Sequence, residues 1–396
     1  MSPKRVYVLY APGGNGHRSA AFTISETMKR RHPSCETVVE DASQFGGPFL
    51  KFGLGIYDSL LKLNPSYVKY GYWLMNAMNT DELLIERFPE TVYAIAKRLR
   101  ELQPALLVSV HSGINGFLVA ALKYAGLLGK IPFVIVCTDL TCGFLRSWVH
   151  PKADLMVSLL DEGKQQMLAL GIPAHKIHVI GGPIVNPRFG DSFRTQQEAR
   201  EELGIDPDKF TVLLMSGGVG IRSLLLLTQQ TVASQIPLQA LICCGKNADL
   251  QAKIERLVQR GQIPCRVFGF TDQVPLLMDA SDLMVSKPGP GVIGEALVKE
   301  LPLLIDATCA VMPQERGNID YVVESGIGQR IDSLSGFRKQ LRTLAEGGRA
   351  LQTMRWNLKR MRKTESAGRL AQLLWHIARN GVRPDMNRPG QLDLAG

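Results

Sequence analysis

Residues 5–21 read RVYVLYAPGGNGHRSAA: an apolar run that breaks at a proline and three glycines, then resumes as a helix-forming stretch. A short, wholly apolar run of this kind is a strand buried on both faces, and a glycine turn into a helix begins a β–α–β unit. The same reading extends along the chain. ETVVED (36–41), ALLVSVH (105–111), FVIVCTD (133–139), DLMVSLL (154–160) and KIHVIGG (176–182) repeat the strand pattern. After a polar, charged stretch at 186–209 it restarts with TVLLMSGG (211–218), ALICCGK (240–246), CRVFGF (265–270), DLMVSK (282–287) and PLLIDA (302–307). Strands alternating with helical stretches predict an α/β protein with two doubly wound parallel-sheet domains. Their expected extents are 1–185 and 186–350, with a basic C-terminal helical segment at 351–396 packing back on the first domain. Ligands of such sheets bind beyond the carboxyl ends of the strands, so the residues after each strand carry the functional reading.

Composition sets limits on that reading. Among 396 residues, 45% are hydrophobic and 21% charged, the balance of an ordinary globular chain. No apolar run is long enough for a membrane-spanning helix. The N-terminus enters a strand pattern directly, without the apolar stretch of a secretory signal, so a cytoplasmic location is expected. Seven scattered cysteines read as reduced, buried thiols, and none shows zinc-ligand spacing, so no metal site is expected.

The net charge of +10 is uneven: from Gly336 onward 13 basic residues face 4 acidic ones. The stretch Arg355–Lys363, RWNLKRMRK, mixes cations and apolar residues at helical spacing. It reads either as a solvated basic face or as a surface for anionic lipid headgroups. No nucleic-acid module accompanies it, so no nucleic-acid partner is expected. Between Phe45 and Trp73 lie eight of the 27 aromatics, divided by Asn64-Pro65. This predicts a helical insertion near 45–78, either packed into the first domain or half exposed towards a membrane or an apolar acceptor.

Three glycine-rich strand ends carry chemistry. In Gly13-Gly14-Asn15-Gly16-His17, the histidine sits after a turn at a strand's carboxyl end, where a general base belongs, and the expected helix runs from Ala20 to Arg31. Gly14 and Gly16 fit a dinucleotide fingerprint, with Glu40-Asp41 as its acidic partner, but Ser19 stands where a third glycine is needed. Ser216-Gly217-Gly218-Val219-Gly220 offers backbone amides to a diphosphate. Lys287-Pro288-Gly289-Pro290-Gly291 leads into a helix whose N-terminus favours the same group, with Glu295 one turn further in for ribose hydroxyls. Gln314-Glu315-Arg316-Gly317-Asn318, after the next strand, is equipped to hold sugar hydroxyls. Asp206-Pro207-Asp208 has an Asp-x-Asp spacing but reads as a loop, and Arg188 reads as a residue of the domain junction.

GGNGHRSAA (13–21), GGPIVNPRF (181–189), MSGGVG (215–220), FGFT (268–271), SKPGPGVIGEAL (286–297) and QERGN (314–318), in this order, resemble the monogalactosyldiacylglycerol-synthase and processive diacylglycerol glucosyltransferase group. That group is related to the peptidoglycan lipid-intermediate N-acetylglucosaminyltransferase. The resemblance implies a GT-B fold: two Rossmann-like domains facing a central cleft, the first for the acceptor and the second for a UDP-sugar.

By the motif match, Gly217, Gly218 and Val219 would face the diphosphate and Phe270 the uracil. Lys287, Gly289 and Gly291 would serve the phosphates, Glu295 the ribose, and Gln314, Glu315 and Asn318 the transferred sugar. Gly14, Asn15, Gly16 and Trp148 would bind the acceptor, with His17 and Asp139 as catalytic residues. The family's His-Pro-x-Trp after Thr138-Asp139-Leu140 is replaced here by Thr141–Trp148, which keeps only the tryptophan.

The implied activity is inverting, metal-independent transfer of a hexose from a UDP-sugar to a lipid, diacylglycerol above all, by an enzyme peripheral on the inner face of a membrane. It needs no cofactor. The rival expectations are a UDP-sugar-dependent transferase with a soluble acceptor and a UDP-sugar epimerase.

Overall fold

The computed structural model describes residues 3–12, 15–46, 80–191, 194–215, 221–308, 311–362 and 365–380. β1 (Lys4–Tyr10) feeds α1 (Asn15–Arg31), which leads to β2 (Cys35–Asp41). From residue 80 the chain runs through α2 (Thr80–Arg87), α3 (Pro89–Leu102), β3 (Leu106–Ser109), α4 (Asn115–Ala125), β4 (Phe133–Val136), β5 (Leu155–Ser158), α5 (Asp161–Ala169) and β6 (Ile177–Val179). Next come α6 (Arg188–Asp191), α7 (Gln196–Leu203), β7 (Phe210–Met215), α8 (Ile221–Val232), β8 (Leu238–Cys243), α9 (Ala248–Val258), β9 (Cys265–Phe268) and α10 (Val274–Asp279). The last elements are β10 (Leu283–Ser286), α11 (Pro290–Lys299), β11 (Leu303–Asp306), α12 (Arg316–Glu324), β12 (Gly328–Ile331), α13 (Leu334–Ala345), α14 (Arg349–Met361) and α15 (Ser366–Asn380). The expected insertion near 45–78 lies almost wholly outside the described residues.

The strands form two six-stranded sheets, ordered β2-β1-β3-β4-β5-β6 and β12-β11-β10-β7-β8-β9, with every pairing parallel. The chain divides into two compact units: residues up to Pro187 together with Glu365 onward, and Arg188–Thr364. Each sheet is held by its own apolar core. In the first unit Tyr7, Leu9, Leu107, Ile135 and Met156 meet Val92, Ile95 and Leu99 of α3 and Leu118 and Leu122 of α4. The α3 residues recur at helical spacing, which gives that helix one core-facing stripe. In the second unit Val212, Leu214, Ile242, Val285 and Leu304 pack with Ile254 of α9, Leu341 of α13 and Leu351 and Met354 of α14.

The structure differs from the sequence expectations in three places. First, α1 begins at Asn15, five residues before the expected start, so His17 sits in its first turn. Second, the second sheet has a strand that the sequence pattern does not mark, β12, of sequence GQRI. It is half polar because it lies at the sheet edge. Gly328 is required there by close approach, since a Cβ would stand 2.5 Å from the Leu303 carbonyl oxygen and 2.7 Å from Val322.

Third, the tail does not behave as one segment from 351 onward. α14 belongs to the second unit's core, and only α15 returns to the first unit. There Arg369 donates to the Ile180 carbonyl at 2.9 and 2.6 Å, and Trp375 stacks on His32 at 5.3 Å. Gly368 leaves room for the Arg31 guanidinium, which a Cβ would strike. Among the described residues, no helix is long and apolar enough to cross a membrane.

Candidate active site

In the first sheet the strand order reverses between β1 and β3, so the segments leaving these two strands start side by side at their carboxyl ends. α1 carries His17 from the first of them, and His111 lies just past the end of the second. The two imidazoles meet edge to face with centroids 4.5 Å apart. His17 Nδ1 lies 3.0 Å from the Val110 carbonyl oxygen and 3.0 Å from Thr138 Oγ1. A carbonyl only accepts, so Nδ1 carries the proton and Nε2 keeps its lone pair. Burial lowers the His17 pKa to about 4, against a small opposing pull from the Val110 bond, so the ring is neutral at pH 7. This is the protonation state of a base.

Asp139, beyond the end of β4, accepts a 2.7 Å hydrogen bond from the Trp148 indole. Trp148 was expected to touch an acceptor directly, but it is only 2% exposed and packs 5.8 Å from the His17 ring. Its indole therefore braces Asp139. The segment 141–148, which departs from the family pattern, is firmly held. Gln166 of α5 accepts from the Gly143 amide at 2.7 Å and donates to the Phe144 carbonyl at 2.8 Å. Asn115, fully buried, donates to the Ser147 carbonyl at 2.8 Å and accepts from Ser109 Oγ at 2.6 Å.

Gly16 is exposed in the first turn of α1, whereas Gly14 and the side chain of Asn15 lie outside the described residues. Glu40 does not serve as a ribose partner. Arg98 holds its carboxylate and the Tyr7 hydroxyl donates to it at 2.6 Å.

The second sheet reverses between β7 and β10, whose last residues, Met215 and Ser286, are register partners. The loop leaving β7 includes Gly217, Gly218 and Val219, which lie outside the described residues. The chain leaves β10 in a tight turn closed by the Gly289 amide on the Lys287 carbonyl at 2.8 Å. α11 then starts with Gly289 as its N-cap and Pro290 in its first position. Helix geometry leaves the first amides without intrahelical partners, here those of Gly291 and Val292, and Gly291 is exposed with open space around it. Lys287 Nζ lies 3.2 Å from Glu315 Oε1, a partly buried pair that places a cation beside this N-terminus.

Asn318 was expected on the sugar. It is fully buried and donates to the Pro288 carbonyl at 2.9 Å, so it braces the turn. The Gln314 side-chain oxygen is buried with no hydrogen-bond partner among the described residues, as is Ser286 Oγ. Such groups in a native fold call for an explanation, and a polar ligand supplies one. Glu295, partly buried in α11, has its pKa pushed up to about 7 by burial while the Arg188 guanidinium pulls it back. Arg188, in α6, therefore acts on Glu295 electrostatically. Phe270 is 71% exposed, with Lys246 Nζ 4.9 Å from its centroid. Asp206 and Asp208 close a turn on themselves through a 3.0 Å bond from the Asp208 amide. Among the described residues, no group of three or more His, Cys, Asp or Glu side chains forms a metal-binding cluster.

Sequence reasoning missed His111, although the residue ends one of the strand runs that it identified. It also gave no role to Ser109, to Asn115 or, within Thr138-Asp139-Leu140, to Thr138, whose side chains hold neighbouring groups.

The monogalactosyldiacylglycerol (MGDG) synthase family model matches residues 17–184, and the glycosyltransferase family 28 C-terminal domain matches 211–308. The chloroplastic monogalactosyldiacylglycerol synthase of Spinacia oleracea is 32% identical over 84% of this chain, which spans 64% of that protein's length. Monogalactosyldiacylglycerol synthase 1 of Arabidopsis thaliana is 30% identical over 95% of this chain and 72% of its own. Among solved structures, MurG of Acinetobacter baumannii superposes with a TM-score of 0.63 at 13% identity, covering 94% of this chain and all of that one. The S. aureus MnaA–UDP co-structure also gives 0.63 at 13% identity, covering 96% of this chain and 99% of that one. These likenesses place the two-sheet α/β fold in the GT-B class. With the Arabidopsis relative matched over nearly the whole chain, this protein belongs to the monogalactosyldiacylglycerol synthase family.

Proposed function

We propose that the protein transfers a hexose from a UDP-sugar to diacylglycerol at an anionic membrane surface, inverting the anomeric centre without a metal. The observation that carries the reading is the fixed state of His17: neutral, protonated on Nδ1 by its bond to a carbonyl, with Nε2 available. His17 Nε2 takes the proton of the acceptor hydroxyl, and that oxygen bonds to the anomeric carbon. The bond from that carbon to the diphosphate breaks on the opposite face, and UDP leaves with the electron pair. Lys287 and the amides at the start of α11 stabilise the growing charge. Diacylglycerol and galactose are suggested by the names of the relatives, and UDP by the MnaA co-structure.

The reading is tested by incubating the protein with labelled UDP-galactose, UDP-glucose and UDP-N-acetylglucosamine, separately, on liposomes with and without diacylglycerol. Label that enters lipid only when diacylglycerol is present is the expected result. Transfer to a soluble acceptor alone, or a free epimer released with no acceptor, would replace the reading with one of its rivals.

For the donor, Glu295→Ala is expected to weaken UDP binding by about 3–10-fold, the worth of a hydrogen bond to a carboxyl that burial holds partly uncharged near neutral pH. Isothermal titration calorimetry reads this directly, and unchanged affinity would remove Glu295 from the ribose site.

The membrane contact is assigned to the outer face of α14. Leu351, Met354 and Leu358 point into the core, whereas Trp356 is 58% exposed with the Arg360 guanidinium 4.4 Å from its ring. Arg349 and Lys359 are exposed on the same helix. Arg355 and Arg362 are engaged by Asp282 and Glu300, so only part of the basic stretch faces outward. An indole flanked by cations suits a headgroup layer carrying negative charge. Trp356→Ala combined with Arg360→Ala is expected to lower sedimentation with phosphatidylglycerol vesicles by about tenfold. Unchanged sedimentation would move the contact elsewhere.

A further inference from the structure

We propose that His111 recognises an acylated acceptor, its Nε2–H donating to the ester carbonyl oxygen next to the hydroxyl that His17 deprotonates. The assignment rests on the diacylglycerol reading above and deepens it.

The argument begins with the tautomer. The Gly113 amide donates to His111 Nδ1 at 3.0 Å, so that nitrogen bears a lone pair and the single proton of the neutral ring is on Nε2. Burial, with the neighbouring His17, holds the His111 pKa well below the ordinary value, so the ring stays neutral. His17 and His111 are therefore set in opposite senses, one offering a lone pair at Nε2 and the other a proton at Nε2. The ring is fixed in place as well. Ser109 Oγ accepts from the His111 amide at 3.5 Å, and a Cβ on Gly113 would stand 3.3 Å from His111 Cε1. Glycine at 113 thus lets the turn close against the imidazole.

His111 is 9% exposed, with Nδ1 taken by the Gly113 amide and the Nε2–H left to face outward from that bond. That N–H is not sealed from solvent, so it is open to an acceptor on a ligand. With the ring centroids 4.5 Å apart, two neighbouring oxygens of one molecule can reach both imidazoles. The oxygen that gives up its proton faces His17. The second must be an acceptor to suit His111, and an ester carbonyl only accepts. A 1,2-diacylglycerol presents this pair: one hydroxyl, with an ester on the adjoining carbon.

The test compares kcat/KM for wild type, His111→Ala and His111→Gln on a diacylglycerol and on the dialkyl ether of equal chain length, which lacks the carbonyl. Wild type is expected to favour the diacyl acceptor by about tenfold. His111→Ala is expected to lose that factor on the diacyl acceptor and little on the ether, so the preference disappears. His111→Gln, whose amide N–H replaces Nε2–H, is expected to recover much of it. The ratio of acceptors is internal to each protein, so partial loss of folded enzyme cancels. An equal fall on both acceptors in His111→Ala, or no preference in wild type, would overturn the assignment. Wild type transferring to neither lipid would instead overturn the diacylglycerol reading, and the assignment with it.

Discussion

Replacing His17 with alanine is expected to lower kcat by about 10²–10⁴-fold while UDP affinity is retained, since general-base catalysis contributes in that range. The residue lies in the first unit, whereas the residues assigned to the nucleotide lie in the second, so a binding defect is not expected. The pH profile supplies a second check. An unperturbed histidine titrates near 6.5, but burial lowers this one to about 4. A base is lost when it gains its proton, so activity lost by protonating His17 falls away as pH drops through the folded pKa. The acid limb of kcat/KM, which reports the free enzyme, is therefore expected near pH 4, with activity held between pH 7 and 5. Unchanged turnover in His17→Ala would exclude the residue as the base.

Lys287→Ala is expected to lower kcat by about 10²–10³-fold, the effect of removing one preorganised group from a site of developing charge. Lys287 is held by Glu315 at 3.2 Å and stands next to the turn that starts α11. An ammonium has three donors, so the pair with Glu315 leaves two for diphosphate oxygens. Charge on the leaving group grows along the reaction, so the loss belongs in kcat and in kcat/KM together. Single-turnover kinetics with saturating UDP-sugar measures it. A rise in KM with kcat intact would show that Lys287 serves ground-state binding alone.

Much of the fold could be read from the sequence because buried parallel strands are short apolar runs. Leu106–Ser109, Phe133–Val136 and Leu283–Ser286 are buried throughout. β12 escaped because an edge strand of sequence GQRI has neither an apolar run nor alternation. The start of α1 was placed late because glycine argues against helix, although the first turn tolerates Gly16. The tail was read as one segment because its charge is continuous, whereas its division at 362–366 comes from which core each apolar stripe meets.

The site was legible in part. His17, Asp139, Lys287, Glu295 and Glu315 could be picked out because each is a polar residue on the segment that follows a strand. Trp148 and Asn318 were found, but their roles differ because only packing shows that both are buried and hydrogen-bonded to neighbouring groups. His111 was passed over because its tautomer depends on the Gly113 amide, a contact made by a turn and not by any spacing.

The most direct measurement is the anomeric linkage of the lipid product formed in the presence of EDTA. Purified protein, UDP-galactose labelled at the anomeric carbon and diacylglycerol liposomes would be incubated with excess chelator, and the extracted glycolipid analysed by NMR. A β-linked galactosyl diacylglycerol, formed at the same rate with and without chelator, is the predicted result, since the donor is α-linked and a single displacement inverts it. An α-linked product, or loss of activity restored by a divalent metal, would contradict the direct displacement assigned to His17 and Lys287.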